Sequence, residues 1–279
     1  KLYILMSDFT NSWFCSLRGY AATTKEKHDT FYLAAIMPLL DDLTDSLQIP
    51  SIDIIKDLKN NKDSLHQSMP AIRYLYNKLL NNCSDSFVKL FHEALEVQDK
   101  SILQLENHTL DTAILKQITY EKGGISTFLF RLVLENSLVK NEEKAIYELG
   151  YLIQLINDMF DIHKDYLNKQ QTLFTNAMSL KPCFNEYKNT LDNVITNFMS
   201  LDYDHSNSIK ALSKISTITS RAQVCIEQLL ACEKSTQGSF KIEFYERKQL
   251  ICDMDTIKNI FKSYRFSVTF YKQLLKLNP

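Results

Sequence analysis

Five glycines and five prolines are all the backbone punctuation that this chain of 279 residues contains. Tight turns and strand ends draw on those two residues, which make up about 7% and 5% of an average sequence. A chain so short of them has to run in long helices. The apolar spacing agrees: Phe31, Ala34, Ala35, Leu39 and Leu43 recur at helical steps within 25–48, as one buried helix face requires. Pro38 lies inside that segment and removes one backbone donor, so a kink is expected there. Similar patterns cover 51–60, 64–82, 84–106, 109–138, 142–169, 183–200, 207–234 and 240–277, joined by short polar stretches such as 81–84 and 202–207. No internal repeat, low-complexity tract or strand-like alternation interrupts them. The expectation is one all-α domain over 1–279, a single helical bundle.

Charge removes some function classes. With 32 basic and 33 acidic residues spread along the chain, no footprint for nucleic acid or for an anionic membrane surface stands out. Apolar runs break well short of the ~20 residues that an integral membrane segment needs. Six cysteines, at 15, 83, 183, 225, 232 and 252, form no Cys-x-x-Cys pair and are expected to be reduced packing residues, which points to a cytoplasmic protein. The start at Lys1-Leu2-Tyr3 is no cleavable signal.

The most informative stretch runs from Gly150 to Asp165. On a helix, Asn157, Asp161 and Asp165 stand at i, i+4 and i+8 and form one stripe, which Gln154 and Gly150 extend backwards. Leu152, Ile153, Leu155, Ile156, Met159, Phe160 and Ile162 cover most of the remaining circumference. A helix apolar nearly all round is a buried one. Carboxylates on its inner face need a partner, because burying one unpaired costs several kcal/mol. A hard divalent cation with an anionic ligand is such a partner; a solvated strip is the plainer alternative. A second cluster, Asp41-Asp42-Leu43-Thr44-Asp45, ends the 25–48 segment. Asp41 and Asp45 are one turn apart on one face, and like charges so close repel unless a cation or water relieves them.

An anionic ligand beside such a cation calls for positively charged side chains as well. Lys122, in Tyr120-Glu121-Lys122-Gly123-Gly124, is the first candidate, because paired glycines within a helical pattern should break the helix and free backbone groups beside it. A simple exposed loop is the alternative there. Arg18, Arg131 and Arg265 are lesser candidates. Sixteen Phe, fourteen Tyr and one Trp would suit a cation-stabilising cavity, and would equally suit an ordinary helical core.

Taken together, the two acidic clusters resemble the two metal motifs of the class I isoprenoid synthases: the aspartate-rich motif, and the Asn-Asp-x-x-Ser-x-x-x-Glu motif of terpene cyclases. The resemblance implies an all-α isoprenoid synthase-type bundle with a central cavity. It also implies three Mg²⁺ ions and a prenyl diphosphate substrate whose ionisation starts carbocation chemistry. Carried over, Asp41, Asp42 and Asp45 hold two of the metals and Asn157, Asp161 and Asp165 the third. Asp161 and Asp165 stand where cyclases have Ser or Thr and Glu, and both keep an oxygen ligand. Lys164 sits where cyclases have a basic residue touching the diphosphate, and Tyr264-Arg265 is similar to their Arg-Tyr pair in reversed order. Gln154, Asn157, Asp161 and Asp165, with Phe31-Tyr32-Leu33 before the first cluster, are also similar to squalene and phytoene synthases. Gly150, Gln154, Asp158, Asp161 and Asp165 are similar to the chain-elongating prenyl synthases, which places Gln154 and Asp158 beside the substrate. Elongating synthases follow their first motif with an Arg-Arg pair, and 46–53 contains no basic residue, which argues against elongation.

The expected function is therefore Mg²⁺-dependent ionisation of a prenyl diphosphate, most like that of a terpene cyclase. Head-to-head prenyl transfer is the first alternative and a non-catalytic prenyl-lipid-binding protein the second. A ferritin-like di-metal bundle is disfavoured, since no histidine has Glu three residues before it. A homodimer is implied by the resemblance alone.

Overall fold

Helices make up most of the computed structural model, which describes residues 2–60, 65–105 and 108–277, and no strand occurs among them. The helices are α1 (Leu2–Arg18), α2 (Thr24–Asp41), α3 (Ser51–Asn60), α4 (Met69–Leu80), α5 (Asp85–Ser101) and α6 (Thr112–Leu132). They continue as α7 (Glu142–Phe160), α8 (Ile162–Leu167), α9 (Leu180–Met199), α10 (His205–Ser235), α11 (Arg247–Leu250) and α12 (Ile257–Leu275). The all-α expectation holds. The starts are capped as side-chain chemistry dictates: Thr23 and Glu26 form a reciprocal capping box at α2, and Ser84, Asp111, Asp204 and Thr256 each accept a backbone N–H of their helix. Among the described residues, no helix is long and apolar enough to cross a membrane. All six cysteines are free.

One continuous set of buried apolar side chains runs from Trp13 in α1 to Leu274 in α12. Within it, α6 and α7 form an antiparallel hairpin that packs on α5 and α9, while α10 contacts α1, α7, α9 and α12. A buried ion pair closes the hairpin. Arg131 Nε donates to Glu142 Oε1 at 2.6 Å and Nη2 to Oε2 at 3.2 Å, and the guanidinium also reaches the carbonyls of Asn136 and Ser137. Arg131 is thus structural here, as is Arg18, which pairs with buried Glu26 at 2.6 Å.

Three local expectations are corrected. Gly123-Gly124 does not break its helix: α6 runs through both. A Cβ on Gly123 would lie 2.2 Å from the carbonyl oxygen of Gly150, and one on Gly124 would lie 2.3 Å from the Tyr147 ring. These glycines exist to let two backbones touch, which overrides their cost in helix propensity. The 142–169 segment is two helices, because the chain bends at Asp161 (φ −89°, ψ 6°) while Asp161 N–H to Asn157 O and Asp165 N–H to Asp161 O persist. Likewise 240–277 divides into a 3₁₀ turn (Ile242–Phe244), α11 and α12. At the other cluster α2 continues past Pro38 to Asp41, and Asp42–Ser46 widens into a π-helical turn.

Candidate active site

The close approach of α6 to α7 governs the site. With no side chain on Gly123 or Gly150 to hold them apart, the helices bring Lys122 level with the acids at the end of α7. The Lys122 ammonium stands 3.5 Å from Asp45 Oδ2, and its charge also bears on Asp41, Asp158 and Asp165. One lysine on α6 therefore lies in the field of both acidic clusters, which are more than a hundred residues apart in sequence.

The first cluster is split by the π-helical turn. Asp41 is half-buried, whereas Asp42 and Asp45 are exposed; Thr44 is buried, with its hydroxyl returned to Leu40 O at 3.1 Å. Gln98 of α5 donates to Asp41 Oδ1 at 2.7 Å. Burial pushes the Asp41 carboxyl up to about 6; Lys122 opposes the rise, and Asp45 and Asp42 add to it.

Around the bend of α7 the inward residues are Gly150, Asp158 and Asp165, all buried, with Gln154 half-buried beside them. Gln154 Nε2 donates to Asp158 Oδ1 at 2.7 Å. Burial lifts Asp158 to about 6, against Gln154 and Lys122 and aided by Asp161. Asp165 rises to about 7, again chiefly through burial, with Asp158 and Asp161 adding and Lys164 and Lys122 opposing. Asp161 is partly exposed and Asn157 exposed, so the inner stripe is displaced by one residue from the expected Asn157 line. Lys164 is exposed and pairs with Asp161 at 3.4 Å. Tyr264 and Arg265 are exposed on α12, whose polar contacts run to α10 and to the turn before it. The structure does not bring that pair to the acids.

Gln98 is the residue that the sequence reading missed. A signal existed: Phe87, Phe91, Ala94 and Gln98 are helically spaced, so an amide stands where the core face of α5 calls for an apolar side chain. Its Oε1 is buried with no hydrogen-bond partner among the described residues.

These observations bear on whether a divalent cation suits the site. Among the described residues no three Asp, Glu, His or Cys side chains form a ready-made metal centre. The acids instead flank Lys122 from two sides, six carboxylates (Asp41, Asp42, Asp45, Asp158, Asp161, Asp165) against two lysines (Lys122, Lys164), an excess of four negative charges. That excess, the three raised carboxyls and the orphaned Gln98 oxygen fit a hard cation completed by oxygens of an anionic ligand, the usual manner of Mg²⁺. Next to Asp41, Gln98 and Lys122 a slot between α2, α5 and α6 is walled by Met37, Leu40, Phe91 and Ile125. Its free space is about 10 Å³, room for one water. A far larger cleft of about 840 Å³ lies elsewhere, between the start of α5 and the α6–α7 loop. Comparison of the chain with known protein families, with curated proteins and with solved structures finds no match in any of the three.

Proposed function

We propose that this protein is a divalent-metal-dependent enzyme of the class I isoprenoid synthase type, which ionises a prenyl diphosphate and passes the allylic cation to cyclisation. The observation that carries the reading is the single lysine, Lys122, standing in the field of two separate aspartate clusters, with an apolar slot opening beside it. An anionic head and a greasy tail are the ligand such a junction fits. Asp41, Asp42 and Asp45 on one side, and Asn157, Asp161 and Asp165 on the other, would hold Mg²⁺, as many as three ions by the resemblance. Bound there, the metal supplies the positive charge that binds the diphosphate and draws electrons from the scissile C–O bond.

The chain's own groups do the rest. Lys122 donates to diphosphate oxygens as negative charge develops on them, worth most in a dry site. Gln98 holds the rotamer of Asp41, as outer partners of ligating carboxylates do, and Gln154 that of Asp158, which the resemblance places beside the substrate. Met37, Leu40, Phe91 and Ile125 exclude water from the cation, and the slot must widen for the prenyl chain to enter. Lys164, on the rim, is placed to meet the diphosphate from outside.

Head-to-head prenyl transfer is the second reading: Gln154, Asp161 and Asp165, three of the four residues similar to squalene and phytoene synthases, are wholly or partly buried about the bend of α7, with Asn157 outside. Diphosphate release from geranyl, farnesyl and geranylgeranyl diphosphate, with and without Mg²⁺, tests both readings. Mg²⁺-dependent release, lost in an Asp41→Ala/Asp161→Ala variant, is the expected result, and product mass separates cyclised from coupled hydrocarbon. No release from any of the three would overturn the enzymatic reading and leave a prenyl-lipid-binding protein.

A further inference from the structure

The near-neutral total charge hides a local imbalance at α12. Its residues include Lys258, Lys262, Arg265 and Lys272, with Lys276 at the C-cap, and no acid. One face packs on α10: Ser263 and Ser267 meet the hydroxyls of Ser220 and Ser216, Lys262 pairs with Glu227 at 2.8 Å, and Leu274 is buried. A second face is open. Ile257, Ile260, Phe261, Tyr264, Tyr271 and Leu275 follow helical spacing, and Ile257, Phe261 and Tyr264 are 74%, 70% and 68% exposed. Scattered exposed apolar residues are ordinary, but a continuous stripe six side chains long marks a surface that something covers. Beside it, about a quarter turn round the helix, runs a row of exposed cations, Lys258, Arg265 and Lys272 at seven-residue intervals, followed by Lys276.

We propose that α12 is an interfacial helix that seats the protein on an anionic lipid surface. The apolar stripe would enter the boundary between headgroups and acyl chains, while the basic row meets lipid phosphates and carboxylates. The occupant is chosen by charge. A second copy pairing through this face would set one acid-free basic helix against another, whereas an anionic bilayer offers both the apolar medium and the countercharge that the two rows require. The helix lies on the surface rather than crossing it, in keeping with its charged flank. The inference stands on the exposure and charge of α12 and does not depend on the proposed reaction.

Co-sedimentation of the whole chain with vesicles tests it, comparing phosphatidylcholine alone with phosphatidylcholine mixed with phosphatidylserine. Binding is expected to the anionic vesicles, to weaken as salt rises from about 0.15 M to about 1 M, and to fall about a hundredfold in Lys258→Gln/Lys272→Gln/Lys276→Gln. Ile260→Ser/Phe261→Ser/Tyr271→Ser should abolish it. All six positions are exposed, so thermal melts should match the parent and exclude misfolding as the cause. Absence of binding to anionic vesicles, or binding that neither variant reduces, would overturn the proposal. A parental dimer that the apolar variant dissociates, without any vesicle binding, would assign the stripe to a second copy instead.

Discussion

Replacing Asp158 by Asn should stabilise this protein at neutral and alkaline pH while abolishing the proposed activity. Asp158 is buried, with one oxygen held by Gln154, and its carboxyl is raised from 3.8 to about 6. A group whose folded pKa exceeds its unfolded one holds a proton in the native state that the unfolded chain has lost. Its contribution to stability therefore falls as pH rises from about 4 to about 6, and stays at its low value above that. At about 1.4 kcal/mol per unit, the full shift corresponds to about 3 kcal/mol of native-state cost once the group is ionised. Asn keeps the size and still accepts from Gln154 but loses the charge assistance, so a net gain of about 1–2 kcal/mol above pH 7 is the expected residue.

Urea unfolding followed by circular dichroism, with chelator present so that no metal offsets the carboxylate, measures the effect. Parent and Asp158→Asn should coincide near pH 4 and diverge in favour of the variant by pH 8, a melting difference of about 3–6 °C for a chain of this size. Asp41 and Asp165, raised to about 6 and about 7, carry the same sign, so the parent itself should lose stability between pH 4 and 7. A variant less stable than the parent at pH 8, or a difference that does not change with pH, would refute the claim that buried, under-compensated charge accumulates here.

Two further substitutions probe the frame that positions the site. Gly123→Ala places a methyl 2.2 Å from the Gly150 carbonyl oxygen, a backbone atom that cannot rotate away. It should cost about 3 kcal/mol in thermal melts despite alanine's higher helix propensity; a stabilised variant would mean that the helices do not touch. Glu142→Gln leaves the Arg131 guanidinium, fully buried, without its countercharge. A loss of about 3–5 kcal/mol in urea unfolding is expected, and a loss under about 1 kcal/mol would show that the carbonyls of Asn136 and Ser137 suffice.

Much of the architecture was legible because helical periodicity is a local signal: capping residues such as Thr23, Ser84 and Asp111 stand one position before the helices they start. What escaped depends on pairs of distant residues. Gly123-Gly124 reads as a break when α6 is considered alone, since a helix gains nothing from glycine. Only opposite Gly150 do they become a contact. The division of labour between Asn157 and Asp158 was legible and overlooked: seven-residue spacing puts Asp158 and Asp165 within about 20° of each other on a helix, closer than Asn157 is to Asp165, and the structure buries that pair. Gln98 lies 57 residues from Asp41, the acid it holds, and stands out in the sequence only as an amide on a core face. The exposed stripe of α12 looked like any amphipathic helix, since periodicity gives the existence of an apolar face without saying whether protein covers it.

These long-range features are parts of one arrangement. Two backbones in contact at Gly123 and Gly150 bring Lys122 into the field of the acids at the end of α7, where burial dominates the rise in Asp158. Lys122 also meets Asp45 of the other cluster at 3.5 Å. Burial, with neighbouring carboxylates adding to it against Lys122 and Lys164, keeps protons on Asp41, Asp158 and Asp165 to near-neutral pH. The site therefore holds its acids in a state that costs stability while it is unliganded and that a multiply charged ligand relieves. On this argument the binding of Mg²⁺ with inorganic diphosphate should release protons at pH 6 and should raise the melting temperature more at pH 8 than at pH 5. Both effects should diminish in Asp158→Asn, because the charge that the cation would compensate is no longer there.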